Sequence, residues 1–469
     1  MAYNLHDLRI TGVEFSEVLG CRITGEIGAH GTLEIYGYAE SEESALYELP
    51  SYQEIEVYVG GPGEKQILFS GVISDITFKS SAEINILIIE GKSSSYLMDL
   101  VKHSRSFQDA EMSYVTMMSL VMNGYPDCNL YYAAPEASIG RLFVQYEETD
   151  WQFLKRVISM FGLTMTPDCR QKGIKLYAGL PVFPEQDVSC RVLNIEKDMH
   201  SFYALQAKGY QVQAADFTRY QVSSEYIVGI FEQIKVGEYP LSVYAYQYDF
   251  TNQEMSAWYA LQCLQGLLNL PVFPMHMIGL ALNGTVCGVS GSDVQVMLDI
   301  DLEWGYPATY LFPYSTISAS TNGSGWYCMP EKGDAVRVYF PSKYEQEAIA
   351  LSSVSSYSVP GGGQADRMQD PNCRYLRTKD GQMLALFPGF MMLTCGDGLS
   401  SVTIQNDGKI SVSALEKVEV DGTESVTIHA DEKMVFQTQN GFELKSSKGG
   451  TVALADGDVW FYGTEVKFE

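Results

Sequence analysis

Pairs of apolar residues recur at a fixed interval through the last hundred residues, and this repeat limits the fold more than any other feature. Each pair is two apolar residues separated by one polar residue, and each begins eight residues after the previous one. Turn-forming residues lie between the pairs, for example at 406–408 and 421–422. The pairs are Val402/Ile404, Ile410/Val412, Val418/Val420, Val426/Ile428, Met434/Phe436 and Phe442/Leu444. The interval predicts one short strand and one tight turn per repeat.

The alternation within each repeat predicts a strand with one apolar face. The intervening residues, among them Thr403, Thr427 and Glu443, are polar, and Val435 is the exception. Strands this short have no second apolar face, so they must bury the first against copies of themselves. We therefore predict that several chains wind into a β-helical needle whose core is formed by the six pairs. An ordinary β-sandwich is the alternative, against which the unbroken register of the pairs argues.

The repeat loosens beyond Leu444, through the pairs 452/454, 459/461 and 466/468. An atypical terminal repeat of this kind is expected where a repeat array is capped. Phe461, Val466 and Phe468 keep the segment apolar up to its last residues. Because the blunt ends of several chains would expose unpaired strand edges, we expect a separate small protein to cover these residues.

The composition narrows the class of protein. A chain of 469 residues that is 46% hydrophobic is expected to form two to four domains. Its formal net charge of −27 disfavours nucleic acid and anionic membrane surfaces as partners. The beginning of the sequence has no basic and apolar leader pattern, which predicts synthesis in the bacterial cytoplasm without a signal peptide. Nine scattered cysteines without a C-x-x-C pair are interpreted as buried free thiols.

Three further regions precede the repeats. Together with the repeats, they predict a mainly β chain with several domains. Residues 278–354 are predicted to form a compact all-β module of the OB type, because apolar and polar residues alternate at 293–300 and 334–340. Residues 355–371 are rich in Ser, Gly and Pro, which predicts a linker to the needle at 372–469. Residues 1–277 are mixed, with strands predicted at 32–38, 54–59, 66–73 and 84–90.

Two helices are predicted within residues 1–277. The string Thr149-Asp150-Trp151-Gln152 has the form of a capping box, and an apolar face at Trp151, Leu154, Val157, Ile158 and Phe161 follows it. The string 251–254 has the same form. Apolar residues at 255, 258, 261, 264 and 268 follow it, and Pro271 ends the predicted helix.

The sequence predicts no enzyme, cofactor or metal site. Glu147 and Glu148 are adjacent carboxylates, but before a helix they are expected to complement its positive end. The six histidines are far apart and form no H-x-H or H-E-x-x-H pattern. A linker of seventeen residues also has no room for an inserted hydrolase.

Several local strings resemble one known family. Residues 143–156 (FVQYEETDWQFLKR) resemble the signature of VgrG and phage late-control D proteins, the hub and spike of contractile injection systems. Residues 91–99 (GKSSSYLMD) and 105–108 (RSFQ) are similar to strings of the same domain, and 325–334 (GWYCMPEKGD) resembles the OB module of phage-like spikes. The resemblance implies a homotrimer with two tube-like β domains per chain, an OB collar and a trimeric β-helix needle.

The resemblance also implies a function and a set of partners. The chain would be the central spike and baseplate hub that joins a hexameric inner tube to a needle, which punctures the target envelope mechanically. Inner tube protein, baseplate proteins, a PAAR-like tip protein and effector cargo would be its partners, and it would be expelled on contraction. A trimeric tail-fibre-like adhesin is the alternative. The sequence does not separate a phage tail, a tailocin, an extracellular particle and type VI secretion.

Overall fold

The computed structural model describes residues 3–39, 52–60, 65–81, 84–252, 254–317, 327–351, 370–455 and 457–465. The chain divides into two compact units, Met1–Ser356 and Tyr357–Glu469, and strands dominate both. Residues 355–369 of the predicted linker lie outside the described residues. No helix in the described ranges is long and apolar enough to cross a membrane.

The first unit begins with six antiparallel strands in the order β1-β4-β5-β6-β3-β2. Their alternating residues, such as Leu33 and Ile35, are buried. The predicted strands 32–38 and 54–59 are confirmed, and 66–73 and 84–90 are parts of longer strands. The strands are β1 (Leu8–Thr11), β2 (Glu17–Glu26), β3 (Thr32–Tyr38), β4 (Glu54–Val59), β5 (Gln66–Ser81) and β6 (Ile84–Ser93).

A mixed segment follows the six strands. It contains β7 (Lys102–Phe107), α1 (Tyr114–Met122), β8 (Cys128–Ala133), β9 (Phe143–Thr149), α2 (Asp150–Ser159), β10 (Met165–Pro167) and β11 (Ile174–Gly179). Strand β7 pairs with β9, and β10, β11 and β8 form a small sheet. The predicted capping box is confirmed, because Thr149 and Gln152 exchange side-chain and backbone hydrogen bonds at the start of α2. Trp151, Leu154 and Val157 on this helix are buried.

The second half of the sheet is built from later strands. They are β12 (Glu185–Gln186), β13 (Arg191–Lys197), β14 (Thr218–Ser224), β15 (Gln233–Val236), β16 (Tyr239–Asn252) and β17 (Glu254–Gln262), with α3 (Met199–Ala207) after β13. Strand β16 pairs with β2, so the two halves form one twelve-stranded sheet. A single apolar core cluster runs through both halves.

The helix predicted after residues 251–254 is wrong. This segment contains the end of β16 and all of β17, which pairs with β16 and β14. Met255, Ala257, Tyr259 and Leu261 are buried, so the period of the apolar face is two and not 3.6. Residue Gln253 of the predicted capping box lies outside the described residues.

The module predicted at 278–354 is a five-stranded antiparallel sheet in the order β20-β19-β18-β21-β22. Its strands are β18 (Ala281–Ser290), β19 (Asp293–Leu298), β20 (Leu311–Pro313), β21 (Ala335–Tyr339) and β22 (Ile349–Leu351). A bridge between Tyr314 and Ala350 joins the two edges of the sheet at that point. Alternating residues of β19 and β21 face a shared core. The assignment to the OB type stays a prediction.

The second unit contains two antiparallel sheets. The first is a meander of β23 (Arg374–Arg377), β24 (Met383–Phe387), β25 (Phe390–Cys395), β26 (Ser400–Gln405) and β27 (Ile410–Ala414). The second is formed by β28 (Phe442–Lys445), β29 (Thr451–Ala455) and β30 (Asp458–Tyr462). Residues 415–441, all described, form no strand in the single chain. The β-helical needle therefore stays a prediction.

Short 3-10 helices connect several elements of both units. They are Leu5–Asp7, Ser94–Asp99, Ala214–Phe217, Leu264–Leu267, Met275–Met277, Asp299–Asp301, Glu345–Glu347 and Gly396–Gly398.

The nine cysteines are free, as predicted, but they are not all buried. Cys21 and Cys169 lie in the core, where burial raises the pKa of the Cys169 thiol to about 12. Cys328 lies in a connecting segment and Cys395 is the last residue of a strand of the second unit, and both are exposed.

Candidate assembly face and buried polar junction

The meander of the second unit carries an apolar row that crosses all five strands. Each residue of the row is the direct cross-strand partner of the next, so their side chains share one face. The row consists of Leu376, Leu384, Leu393, Val402 and Val412.

A second row lies two residues along each strand and faces the same side. It contains Leu386, Met391, Ile404 and Ile410, and Arg374 ends it at the edge strand. We call the nine apolar residues of the two rows the assembly face. All of them are exposed except Val402, which is half-buried. A groove of about 680 Å³ runs beside the first row and is closed on one side by residues 417–419.

Sequence reasoning found only part of the assembly face. Val402, Ile404, Ile410 and Val412 belong to the predicted needle core, and the structure brings these four together. The residues on β23, β24 and β25 were missed. The pairs 384/386 and 391/393 have the same spacing within each pair, but they stand seven and eleven residues from the next pair, so a fixed interval of eight excludes them.

The other predicted core residues form no common core in the single chain, although the ring centroids of Phe436 and Phe442 lie 5.3 Å apart and Val418 lines the groove beside Val412. Val418, Val420, Val426, Ile428, Met434 and Phe436 are exposed on residues without a strand, and Ile428 is 66% exposed. Phe442 and Leu444 lie on β28, on one face with Val452, Leu454, Val459 and Phe461. Of the three residues predicted to contact a tip protein, Phe461 is exposed, and Val466 and Phe468 lie outside the described residues.

The first unit contains a different kind of site, a buried ion cluster around Arg156 on α2. The Arg156 side chain donates from Nε and Nη2 to Glu148 at 3.0 and 2.9 Å, and from Nη1 to Glu345 at 3.2 Å. Its Nη2 also donates to the Val144 carbonyl at 2.9 Å, and the Val144 N–H donates to Glu345 at 2.8 Å. Since Glu345 follows β21 and the others lie on β9 and α2, the cluster joins the five-stranded module to the mixed segment.

The charges in this cluster depend on one another, because one guanidinium serves two carboxylates. Burial alone would lower the pKa of Arg156, but the charges of Glu345 and Glu148 raise it, so the guanidinium stays charged. Burial raises the pKa of Glu345, and Arg156 opposes that shift. Removing Arg156 would leave two carboxylates buried without a counter-charge, which is strongly destabilising.

A second cluster lies on the adjacent strands. Arg105 on β7 donates to Gln145 at 2.8 Å and pairs with Asp150 at the start of α2. Tyr125 donates its hydroxyl to Asp150 at 2.8 Å. The Gln145 amide also donates to Asp150, at 2.9 Å. Buried donors and acceptors that satisfy each other in this way fix a single packing arrangement.

Two further contacts tie β7 and the residues after it to the five-stranded module. Ser106 donates its backbone N–H and its hydroxyl to Asp301, both at 2.6 Å. Gln108 donates to the carbonyl of Val296 on β19 at 3.1 Å. We call these contacts and the Arg156 and Arg105 clusters the polar junction.

The predicted role of Glu148 is wrong. Its carboxylate binds Arg156 instead of complementing the start of α2, because the guanidinium is within hydrogen-bonding distance of both of its oxygens. Glu147 is exposed and has a left-handed backbone, with φ of 49°. Sequence reasoning missed Arg156 and Glu345. The only signal was the string 143–156, which supplies Val144, Glu148 and Arg156 to the junction.

A serine, a histidine and an aspartate are aligned in the first unit, but they do not form an accessible catalytic site. His30 Nδ1 lies 2.7 Å from Ser95 Oγ, and His30 Nε2 lies 3.5 Å from Asp99 Oδ2. Ser95 is 1% exposed, so no substrate carbonyl reaches its hydroxyl. Burial lowers the pKa of His30 to about 4, and the imidazole is neutral near pH 7. Within the described residues, no group of three or more possible ligands could hold a metal ion.

Comparison with solved structures identifies the fold. The chain superposes on the E. coli c3393 protein, described as a component of the type VI secretion system with structural similarity to T4 bacteriophage tail proteins gp27 and gp5. The TM-score is 0.52 at 14% identity, over 74% of this chain and 99% of that one. It also superposes on a chain of the half-lidded Francisella PdpA-VgrG complex, with a TM-score of 0.51 at 8% identity over 87% of each chain. No family model and no curated protein matches the sequence. The chain therefore shares its fold with this type VI secretion component and with a chain of the PdpA-VgrG complex.

Proposed function

We propose that this chain is the trimeric hub and spike of a contractile injection machine. Its role is mechanical: the hub joins an inner tube, and the needle concentrates the force of contraction on a small area of the target envelope. The likeness in fold to a type VI secretion component and to a chain of a PdpA-VgrG complex supports this proposal. The octad repeat and the strings at 91–99, 143–156 and 325–334 support it independently.

The observation that carries the proposal is the assembly face. A soluble monomer rarely exposes a continuous apolar patch formed by nine aliphatic side chains. Here the patch covers one side of an entire five-stranded meander, and its residues continue into the octad pairs. Three copies related by a rotation axis would bury this face in a common core, and the groove beside Val412 would accept side chains of a neighbouring copy.

The polar junction fits a part that transmits force. Within the first unit, the contacts of Arg156 and Asp301 hold the five-stranded module against the mixed segment and leave few alternative packings. A rigid hub delivers the displacement of the tube without absorbing it. Inner tube protein and baseplate proteins are the proposed partners of this unit. A PAAR-like tip protein at Phe461, Val466 and Phe468, with effector cargo, is proposed for the needle.

Two aspartate substitutions on one strand test the proposal. Val412 is 59% exposed in the single chain and Ser413, on the other face of β27, is also exposed. A monomer would therefore tolerate Val412→Asp and Ser413→Asp equally. In the proposed trimer, Val412→Asp would place three like charges in a dry core, at a cost of several kcal/mol per copy.

The measurement is native mass spectrometry of the full-length chain and of both variants at micromolar concentration. We expect trimers for the unmodified chain and for Ser413→Asp, and loss of trimer for Val412→Asp. A stable monomer of the unmodified chain, or equal assembly of the two variants, would show that the proposal is wrong.

A further inference from the structure

The second sheet of the C-terminal unit breaks the alternation of its own repeat. Its apolar face is formed by Phe442, Leu444, Val452, Leu454, Val459 and Phe461. The opposite face should be polar, as it is in the earlier repeats except at Val435. At positions 460 and 462, however, it carries a tryptophan and a tyrosine, which are 48% and 58% exposed. Burial in the proposed needle core does not account for these two rings, because they lie on the other face of β30.

The strand register arranges this face as a shallow trough. Trp460 lies opposite Ala453, which lies opposite Glu443, and Tyr462 lies opposite Thr451, which lies opposite Lys445. The central strand thus contributes two small side chains between larger ones. One wall is formed by the rings of Trp460 and Tyr462, which are nearly parallel at 13° with centroids 6.3 Å apart. The other wall is formed by Glu443 and Lys445, whose charged groups pair at 2.8 Å.

We propose that this trough binds a neutral glycan chain. The C–H face of a sugar ring is apolar and packs on the negative face of an aromatic ring. Its hydroxyl groups require donors and acceptors at the side, which Thr451, Glu443 and Lys445 supply. The two outer strands are about 10 Å apart, which is wide enough for one extended saccharide chain.

The charges favour a neutral ligand over an anionic one. The walls hold one carboxylate and one ammonium group, and they are already paired with each other. The whole chain carries a formal charge of −27, which repels phosphate backbones and anionic lipid headgroups. Aromatic side chains also occur at membrane interfaces, so binding to a lipid surface is the outcome that the test has to separate from glycan binding.

Titration calorimetry of the full-length chain tests the proposal. The probes are soluble oligomers of β-1,4-linked N-acetylglucosamine and of β-1,4-linked glucose, which distinguish amino-sugar chains from plain glucans, and vesicles of anionic phosphatidylglycerol. We expect binding to at least one of the two oligosaccharides. Trp460→Ala and Tyr462→Ala should each weaken it about tenfold, which corresponds to about 1.4 kcal/mol.

Two control variants separate loss of a contact from loss of fold. Trp460→Phe keeps an aromatic face and should retain most of the affinity. Tyr239→Ala removes an aromatic ring of the first unit that is more exposed than either, and it should leave the affinity for the oligosaccharides unchanged. Failure to bind either oligosaccharide, binding to vesicles alone, or unchanged affinity in both alanine variants would overturn the inference. A single chain contains the whole trough, so light scattering on the same samples reports separately on the proposed trimer.

Discussion

The polar junction and the assembly face differ in what they bury: the junction buries charged groups that are paired, whereas the assembly face leaves aliphatic side chains exposed. The junction buries charges, and each of them finds its partners within one chain: Arg156 alone donates to Glu148, Glu345 and the Val144 carbonyl. The assembly face exposes aliphatic side chains for which the described part of one chain offers no cover. The buried charges of the first unit are thus satisfied within one chain, whereas in the proposed trimer the apolar face of the second unit is covered by partner copies. The order of expected mutational effects follows from this difference.

The largest effect is expected in the octad region, where one substitution acts on every copy. Ile428→Asp should prevent assembly, because three carboxylates would meet at one level of a dry core. Thr427→Asp lies one residue away and should face outward, so it should be nearly silent. Trimer formation and resistance to denaturing detergent are the measurements. Equal resistance of both variants would show that the octad pairs do not form the buried core of the needle.

The next largest effect is expected at the junction, and within a single chain. Arg156→Met leaves Glu148 and Glu345 buried without a counter-charge, which should cost about 3–5 kcal/mol of the free energy of unfolding. Arg337→Met, at an exposed position of β21, is the control and should change it little. Denaturant unfolding followed by fluorescence measures both. Adding Glu345→Gln to Arg156→Met should recover part of the loss. No recovery would contradict the assignment of the cost to the unpaired carboxylates.

A pH effect of about 3 kcal/mol is expected from His30. Its pKa falls from an ordinary 6.5 to about 4 on folding, so the folded chain binds the proton more weakly than the unfolded chain. The resulting stability is complete above pH 6.5 and is lost as the pH falls towards 4, by about 1.4 kcal/mol per pKa unit. His30→Gln should flatten this decline in unfolding experiments across pH 4 to 6.5. The exposed His200→Gln is the control, and a decline of the same slope in both variants would exclude His30 as its source.

The smallest effect is expected at the cap of α2. Thr149→Ala removes the side-chain acceptor for the Gln152 N–H and should cost about 1–2 kcal/mol. Thr149→Ser keeps that acceptor and should recover most of the stability. Thermal unfolding of the two variants checks this. Equal losses would mean that the methyl group of Thr149, and not the cap, stabilises this end of the helix.

Sequence reasoning succeeded where the signal was local. The bounds of β3 and β4 follow from residues that alternate within one strand, and the start of α2 follows from a capping box of four residues. It failed at β17 because Met255, Trp258 and Leu261 also fit a helical spacing. The alternating set that includes Ala257 and Tyr259 is the one that packs.

The junction could not be predicted from sequence for a different reason. Arg156 and Glu345 are 189 residues apart, and nothing near either residue marks the other as its partner. The assembly face was half predicted, since its β26 and β27 residues obey the octad interval and its β24 and β25 residues do not. A sequence repeat identifies the residues that are buried together only where its fixed spacing is kept, and the spacing changes between β24 and β26.

The exposed assembly face also has a consequence for biosynthesis. Before the proposed trimer forms, a newly made chain exposes an apolar face and the unpaired edges of β23 and β27 to any other unfolded chain. Formation of the proposed trimer depends on encounters between like chains, and so does aggregation, so the two processes compete from the moment of release. Yield in a cell should therefore depend on how closely in time and space the copies are translated. Several ribosomes on one message, which deliver identical chains side by side, would favour productive association over loss.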